Sequence, residues 1–178
     1  HRLDKDTSGL MVISKIESSY LKLVEQLKER SVTRTYLAMV VGVPVINKTI
    51  NEPIGRHPKI RTKQAVNQNG KEAITRFSIL ENLDGYSLLK VNLETGRTHQ
   101  IRVHLSHIGF PIIGDPLYGS RNKFSRGSSE EQKKIISNFK RQALHAEELQ
   151  LNHPSSGELL SFKAPMPSDM QTLLNQIK

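Results

Sequence analysis

Cysteine is absent from all 178 residues, which excludes a disulfide scaffold, a thiol nucleophile and a thiolate-bound zinc. Long apolar runs are absent as well. No stretch approaches the ~18 residues of a membrane-spanning helix, and no signal-peptide core opens the chain. Gly114 and Gly119 are not followed by Lys-Ser or Lys-Thr, so the nucleotide-loop reading fails. A Gly-x-Ser-x-Gly nucleophile elbow and an internal repeat are missing too. Acidic residues are scarce: 17 against 26 Lys and Arg leave a net charge of +9 and a pI near 9.9. An excess of this sign suits a polyanionic partner, most simply a nucleic acid. With 36% apolar residues and 11 Gly, the composition is that of a globular, cytoplasmic chain. The chain opens on His1 and not on Met, and it reads as a fragment whose N-terminal part lies upstream.

Local patterns divide the chain. Gly9 to Ser14 is a short apolar run that predicts a buried strand. Ser18 to Arg30 carries Tyr20, Leu23, Val24 and Leu27 on one face, an amphipathic helix with Ser18 or Ser19 as its cap. Thr33 to Gly42 reads as a strand. Asn51 to Gly70 is a basic, turn-rich loop or irregular hairpin. Glu72 to Leu80 and Tyr86 to Leu93 predict a hairpin with Gly85 at the left-handed position. A short helix is expected within Arg97 to His107. Beyond it, SRGSS (125–129) reads as flexible, Glu130 to Phe139 as a helix, and Leu144 to Leu151 and Glu158 to Lys163 as strands. Ser168 to Ile177 closes as a helix capped by Ser168. Hairpins mixed with isolated helices make this an α+β pattern.

Seven histidines raise the question of a metal. His104 and His107, three apart, share a helix face, but no third ligand accompanies them and no metal is expected. A metal-dependent phosphodiesterase using His99, His104 and Asp115 is the reading they would serve. Two segments look unlike scaffold. HRLDKDTSG places Asp4 in a turn just before a strand, where rigid sheet meets loop; an Asx-turn would explain Asp4 or Asp6 equally. ETGRTHQIRVHL sets Arg97, His99, Gln100, Arg102 and His104 within eight residues, either an anion grip or a solvated basic face.

Together these blocks resemble the RluA-type pseudouridine synthase family. HRLDKDTSGL (1–10), RTYLA (34–38), ETGRTHQIRVHL (94–105), GDPLYG (114–119), RQALHA (141–146), His153-Pro154 and APMPSD (164–169) fall in the family's order from one end of the chain to the other. The resemblance implies a pseudouridine synthase fold, with a central, mostly antiparallel mixed sheet flanked by helices and an RNA-binding cleft across it. Residues 1–178 would form the catalytic domain, lacking upstream strands and any accessory RNA-binding domain. It implies isomerisation of uridine in RNA without a cofactor. Ribosomal RNA of the large subunit is the expected substrate, transfer RNA the alternative, and a non-catalytic RNA-binding or assembly factor the reading of another class. A monomer is expected.

Residue by residue, the resemblance makes Asp4 the nucleophile, attacking either ribose carbon 1 or uracil carbon 6. Carboxylates serve glycosidases in the same way. Arg102 matches the family position that pairs with it, a planar and permanent cation. Tyr36 matches the active-site aromatic that stacks on the base and helps remove the carbon 5 proton. Arg2 matches the side chain that fills the stack left by the flipped nucleotide. His1 and Arg97 are further candidates for RNA contact. Arg56, Lys59, Arg61 and Lys63, with an outer patch that includes Lys123, Arg126 and Arg141, are candidates for phosphate tracking.

Overall fold

The computed structural model describes residues 1–119 and 124–178; Lys123 of the outer patch lies outside them. The elements in chain order are β1 (Ser8–Gly9), α1 (Glu17–Lys28), β2 (Thr33–Val41), β3 (Lys48–Asn51), β4 (Ile54–Arg56), β5 (Gln64–Val66), β6 (Ile74–Leu83) and β7 (Tyr86–Leu93), then α2 (Gln100–His107), α3 (Glu130–Asn138), β8 (Leu144–Asn152), β9 (Leu159–Lys163) and α4 (Ser168–Gln176). Seven strands form one sheet in the order β1-β8-β2-β7-β6-β3, with β9 also on β8; β4 and β5 form a separate ribbon. Among the described residues only the β1–β8 pairing is parallel. This is the mixed, mostly antiparallel α+β sheet expected.

Strand β2 is the spine. It pairs with β7 on one side and β8 on the other, and every residue after Thr33 is buried. Burial on both faces explains why TRTYLAMVV reads as a continuous run and not as an alternation. Tyr36 to Val41 join Leu88, Leu89 and Val91 of β7, Ile101 and Leu105 of α2, and Met170, Leu173 and Leu174 of α4 in the main core. A smaller cluster seats Leu23 of α1 against Leu149 and Leu151 of β8. Gly85, at φ +74°, turns the β6–β7 hairpin as the Asp-Gly signal required.

Several expectations are corrected. The strand foreseen at Gly9 to Ser14 shrinks to Ser8–Gly9, leaving Met11 and Ile13 exposed. Beyond Ala146, the edge of β8 that β1 uses is taken by β9, which pairs from Glu148 to Asn152. Residues past Gly9 therefore meet no open ladder. Neither Ser18 nor Ser19 caps α1, whose boundary residue is Ile16. Ser168 does not cap α4, where Pro167 takes that place. SRGSS is not loose: the buried Tyr86 hydroxyl accepts from the Ser125 amide at 3.2 Å and lies 2.6 Å from the Ser128 hydroxyl. Ser129 then caps α3 through a reciprocal pair with Gln132.

Tyr86→Phe removes that anchor while keeping the ring. We expect a loss of about 1–2 kcal/mol in urea unfolding and faster tryptic cleavage at Arg126. Unchanged cleavage at Arg126 would contradict the anchoring role.

Candidate active site

The β1 loop, β2 and the β7–α2 loop converge on a cavity of about 540 Å³, within the ~300–1,000 Å³ of small-molecule sites. Its lining includes the basic residues Arg2, Lys28, Arg30, Arg34, Arg97 and Arg102 against only Asp4 and Glu94. Tyr36, His1 and His99 also line the wall.

Asp4 sits in a turn closed by the Thr7 amide on its own carbonyl at 3.0 Å. The loop is tied to the far end of the chain. The Gln142 amide donates to the Lys5 carbonyl at 2.6 Å and to the Thr7 hydroxyl at 2.9 Å. Arg141, itself gripped by Asp169, reaches the Asp6 carbonyl at 3.3 Å. Ser8 then enters the sheet opposite His145, and their side chains bond at 3.0 Å. A loop held on three sides keeps its carboxylate in one place.

Arg102 projects from α2 and serves two carboxylates. Its Nε and Nη2 donate to the two oxygens of Asp115 at 2.7 and 2.9 Å, and its Nη1 donates to Asp4 Oδ2 at 3.1 Å. The guanidinium side chain is 4% exposed, that of Asp115 0% and that of Asp4 14%. Asp115 also accepts the amides of Leu117 and Tyr118. Burial works to raise its pKa, but Arg102 and those amides prevail and hold the carboxyl below its ordinary range. Burial likewise opposes the charge on Arg102, and the two carboxylates more than offset it.

Tyr36 is buried on β2 beside a bulge: Thr35 pairs with Glu148 and Tyr36 with Ala146, leaving Glu147 as the extra residue. Bulges of this kind re-aim a side chain next to a site. Burial pushes the Tyr36 phenol up, Arg34 counteracts this and Asp4 adds to it, so the hydroxyl stays protonated at neutral pH. His99, at φ +58°, opens α2 and bonds the Tyr118 hydroxyl at 2.7 Å; burial lowers its pKa. Gln100 closes the loop, its oxygen accepting from Thr95 Oγ1 and the Arg97 amide, its nitrogen donating to Ile74 and Thr75 of β6.

A family model described as RNA pseudouridylate synthase matches residues 1–107, a span that contains Asp4, Tyr36 and Arg102. The chain belongs to this family. It is 47% identical over all 178 residues to ribosomal large subunit pseudouridine synthase D of Haemophilus influenzae, covering 55% of that protein. It is 48% identical to the protein of the same name from Xanthomonas campestris, covering 54%. The chain thus spans about half the length of these relatives. Among solved structures, human RNA pseudouridylate synthase domain containing 1 superposes with a TM-score of 0.75 at 30% identity, over 93% of this chain and 67% of that one. Human RNA pseudouridylate synthase domain containing 4 gives 0.79 at 26% identity, over 99% and 74%.

In this member of the family the residues singled out from sequence divide between the cavity and the ribbon. His1, Arg2, Asp4, Tyr36, Arg97 and Arg102 all line the cavity. Arg56 ends β4, while Lys59, Arg61 and Lys63 follow in the loop to β5, outside the lining. Lys63 approaches from that side, 5.8 Å from the Tyr118 ring. The histidines do not gather: His104 is buried with its ring nitrogens on Thr75 and the Glu52 carbonyl. Asp115 was foreseen only as a metal ligand, and it holds Arg102 instead. Its signal was the GDPLYG block. Arg34 was not foreseen at all, although it stands in the RTYLA block.

Asp115→Asn should cost about 3–5 kcal/mol, the penalty for breaking a buried ion pair. Because the Asp115 pKa is lowered on folding, its contribution is complete above the ordinary carboxylate range and is lost as pH falls through the folded value. The stability gap between wild type and variant should therefore be flat above about pH 5 and shrink below about pH 4. A gap independent of pH down to acid unfolding would refute the pairing.

Proposed function

We propose that this chain is the catalytic domain of an RNA pseudouridine synthase acting on uridine in large-subunit ribosomal RNA. The observation that carries the reading is the Asp4 carboxylate held by one oxygen at 3.1 Å from Arg102, in a cation-lined cavity beside Tyr36. The names of the relatives support ribosomal RNA as the substrate.

The chemistry follows from those groups. A uridine turned out of the RNA stack enters the cavity, and Arg2 fills the gap it leaves. Asp4 attacks ribose carbon 1 or uracil carbon 6, and the bond from nitrogen 1 to the ribose breaks. The freed uracil rotates and its carbon 5 bonds to the ribose carbon. Asp4 leaves, carbon 5 gives up its proton and nitrogen 1 gains one, so the reaction is an isomerisation that balances without a cofactor. Arg102 keeps the nucleophile aimed. The neutral Tyr36 ring stacks on the base, and its hydroxyl passes the carbon 5 proton onward. His1 and Arg97 border the entrance, and Arg56, Lys59, Arg61 and Lys63 track the phosphates beyond it.

No helix among the described residues is long and apolar enough to cross a membrane. The ribosomal RNA named by the relatives supports a cytoplasmic site of action. The protein acts as a monomer and without a metal.

Tritium release from RNA labelled at uridine carbon 5 tests the proposal. Asp4→Asn should abolish release while RNA affinity stays within a few fold. Retained release would remove Asp4 as the nucleophile. RNA binding without release from any ribosomal or transfer RNA would make the chain a binding factor. Arg102→Ala should lower both turnover and melting temperature, because it strands two carboxylates; full activity would exclude the ion-pair role.

A further inference from the structure

Arg34 contrasts with Arg102. It stands two residues before Tyr36 on β2, lines the same cavity and is only 7% exposed. Its Nε has no hydrogen-bond partner among the described residues. Its Nη2 reaches the Leu93 carbonyl at 3.5 Å, the outer limit of such a bond. The acidic residues of the cavity are engaged elsewhere: Asp4 with Arg102, and Glu94 with Arg76 and, at 4.0 Å, Arg30. Gly96 lets the β7–α2 loop close against the guanidinium, since a Cβ there would fall 2.6 Å from its Nη1. The other buried side-chain nitrogen without a partner, His1 Nδ1, belongs to the same lining.

Buried cations are ordinarily paired, and breaking such a pair is strongly destabilising. A guanidinium kept in a cavity wall with unspent donors is built to receive an anion from outside. A guanidinium presents a planar fork that matches phosphate oxygens. Alternate residues of a strand stand about 7 Å apart on one face, comparable to the span between a base and its own phosphate in one nucleotide.

We propose that Arg34 is a phosphate subsite, its free donors receiving a phosphodiester oxygen of the nucleotide whose base lies against Tyr36. The inference rests on the reading of the cavity as an RNA site. It adds a second function to β2, which presents the stacking ring and the phosphate anchor from a single strand. The phosphate contact then registers the uridine before Asp4 acts.

The test compares wild type with Arg34→Gln in two assays. In tritium release from RNA, KM should rise about tenfold to a hundredfold, the loss expected for one charged hydrogen-bonding contact, with kcat within threefold. The slope of log affinity against log salt should fall by about one. In thermal melting, inorganic phosphate should stabilise wild type above a chloride control of equal ionic strength, and Arg34→Gln should lose that increment. A higher KM with no phosphate increment in wild type also supports the subsite and restricts it to the RNA backbone. An increment lost without any change in KM assigns Arg34 to free phosphate and overturns the RNA role. A fall in kcat at constant KM with equal increments overturns the subsite altogether. If Arg34→Gln does not fold, Arg34→Met fills the space without charge and serves the same comparison. Absence of release from wild type itself would count against the catalytic reading, while the melting arm would still decide Arg34.

Discussion

One guanidinium shared between two carboxylates governs the rest of the site. Arg102 gives its planar fork to the fully buried Asp115 and its remaining nitrogen to the part-exposed Asp4. A buried cation needs anionic partners, and here the partners are unequal. Asp115 is saturated by Arg102 and two backbone amides, so it has no capacity left for chemistry. Asp4 keeps a single bond to Arg102, which orients it without consuming both oxygens. The same arrangement fastens three segments that are distant in sequence: the N-terminal turn, helix α2 and the turn that follows it.

Around that ion pair, polar side chains bind loops to the sheet. Gln142 holds the turn carrying Asp4, and Gln100 holds the loop that leads into α2. His104 joins the same helix to Thr75 and to the Glu52 carbonyl. Each of these buried groups has its partners, and a satisfied network selects one geometry. Arg34 stands out against that background because its buried Nε has no partner among the described residues.

The elements legible in the sequence were those that depend on near neighbours. The β6–β7 hairpin followed from Asp84-Gly85, and β2 followed from its β-branched and aromatic run. What escaped depended on distant parts of the chain. Residues 10–14 look like a strand, but β9 occupies the ladder they would need, and nothing within that segment records this. SRGSS has the composition of a flexible linker, yet its order comes from Tyr86, about 40 residues earlier in the chain. Asp4, Tyr36 and Arg102 were legible through the motifs that carry them, and their convergence on one cavity came from the fold. Arg34 was hidden because a strand covered on both faces gives no alternation to mark which residues point into a cleft.

The short parallel pairing of β1 with β8 has a consequence for synthesis. The groups that seat the Asp4 turn lie about 137 residues after it in sequence. During synthesis the Asp4 turn is therefore made well before its anchors. Until β8 has emerged and joined β2, Ser8 has no ladder to enter and the turn has no fixed position. The turn that carries Asp4 thus takes its place only after β8 has joined β2.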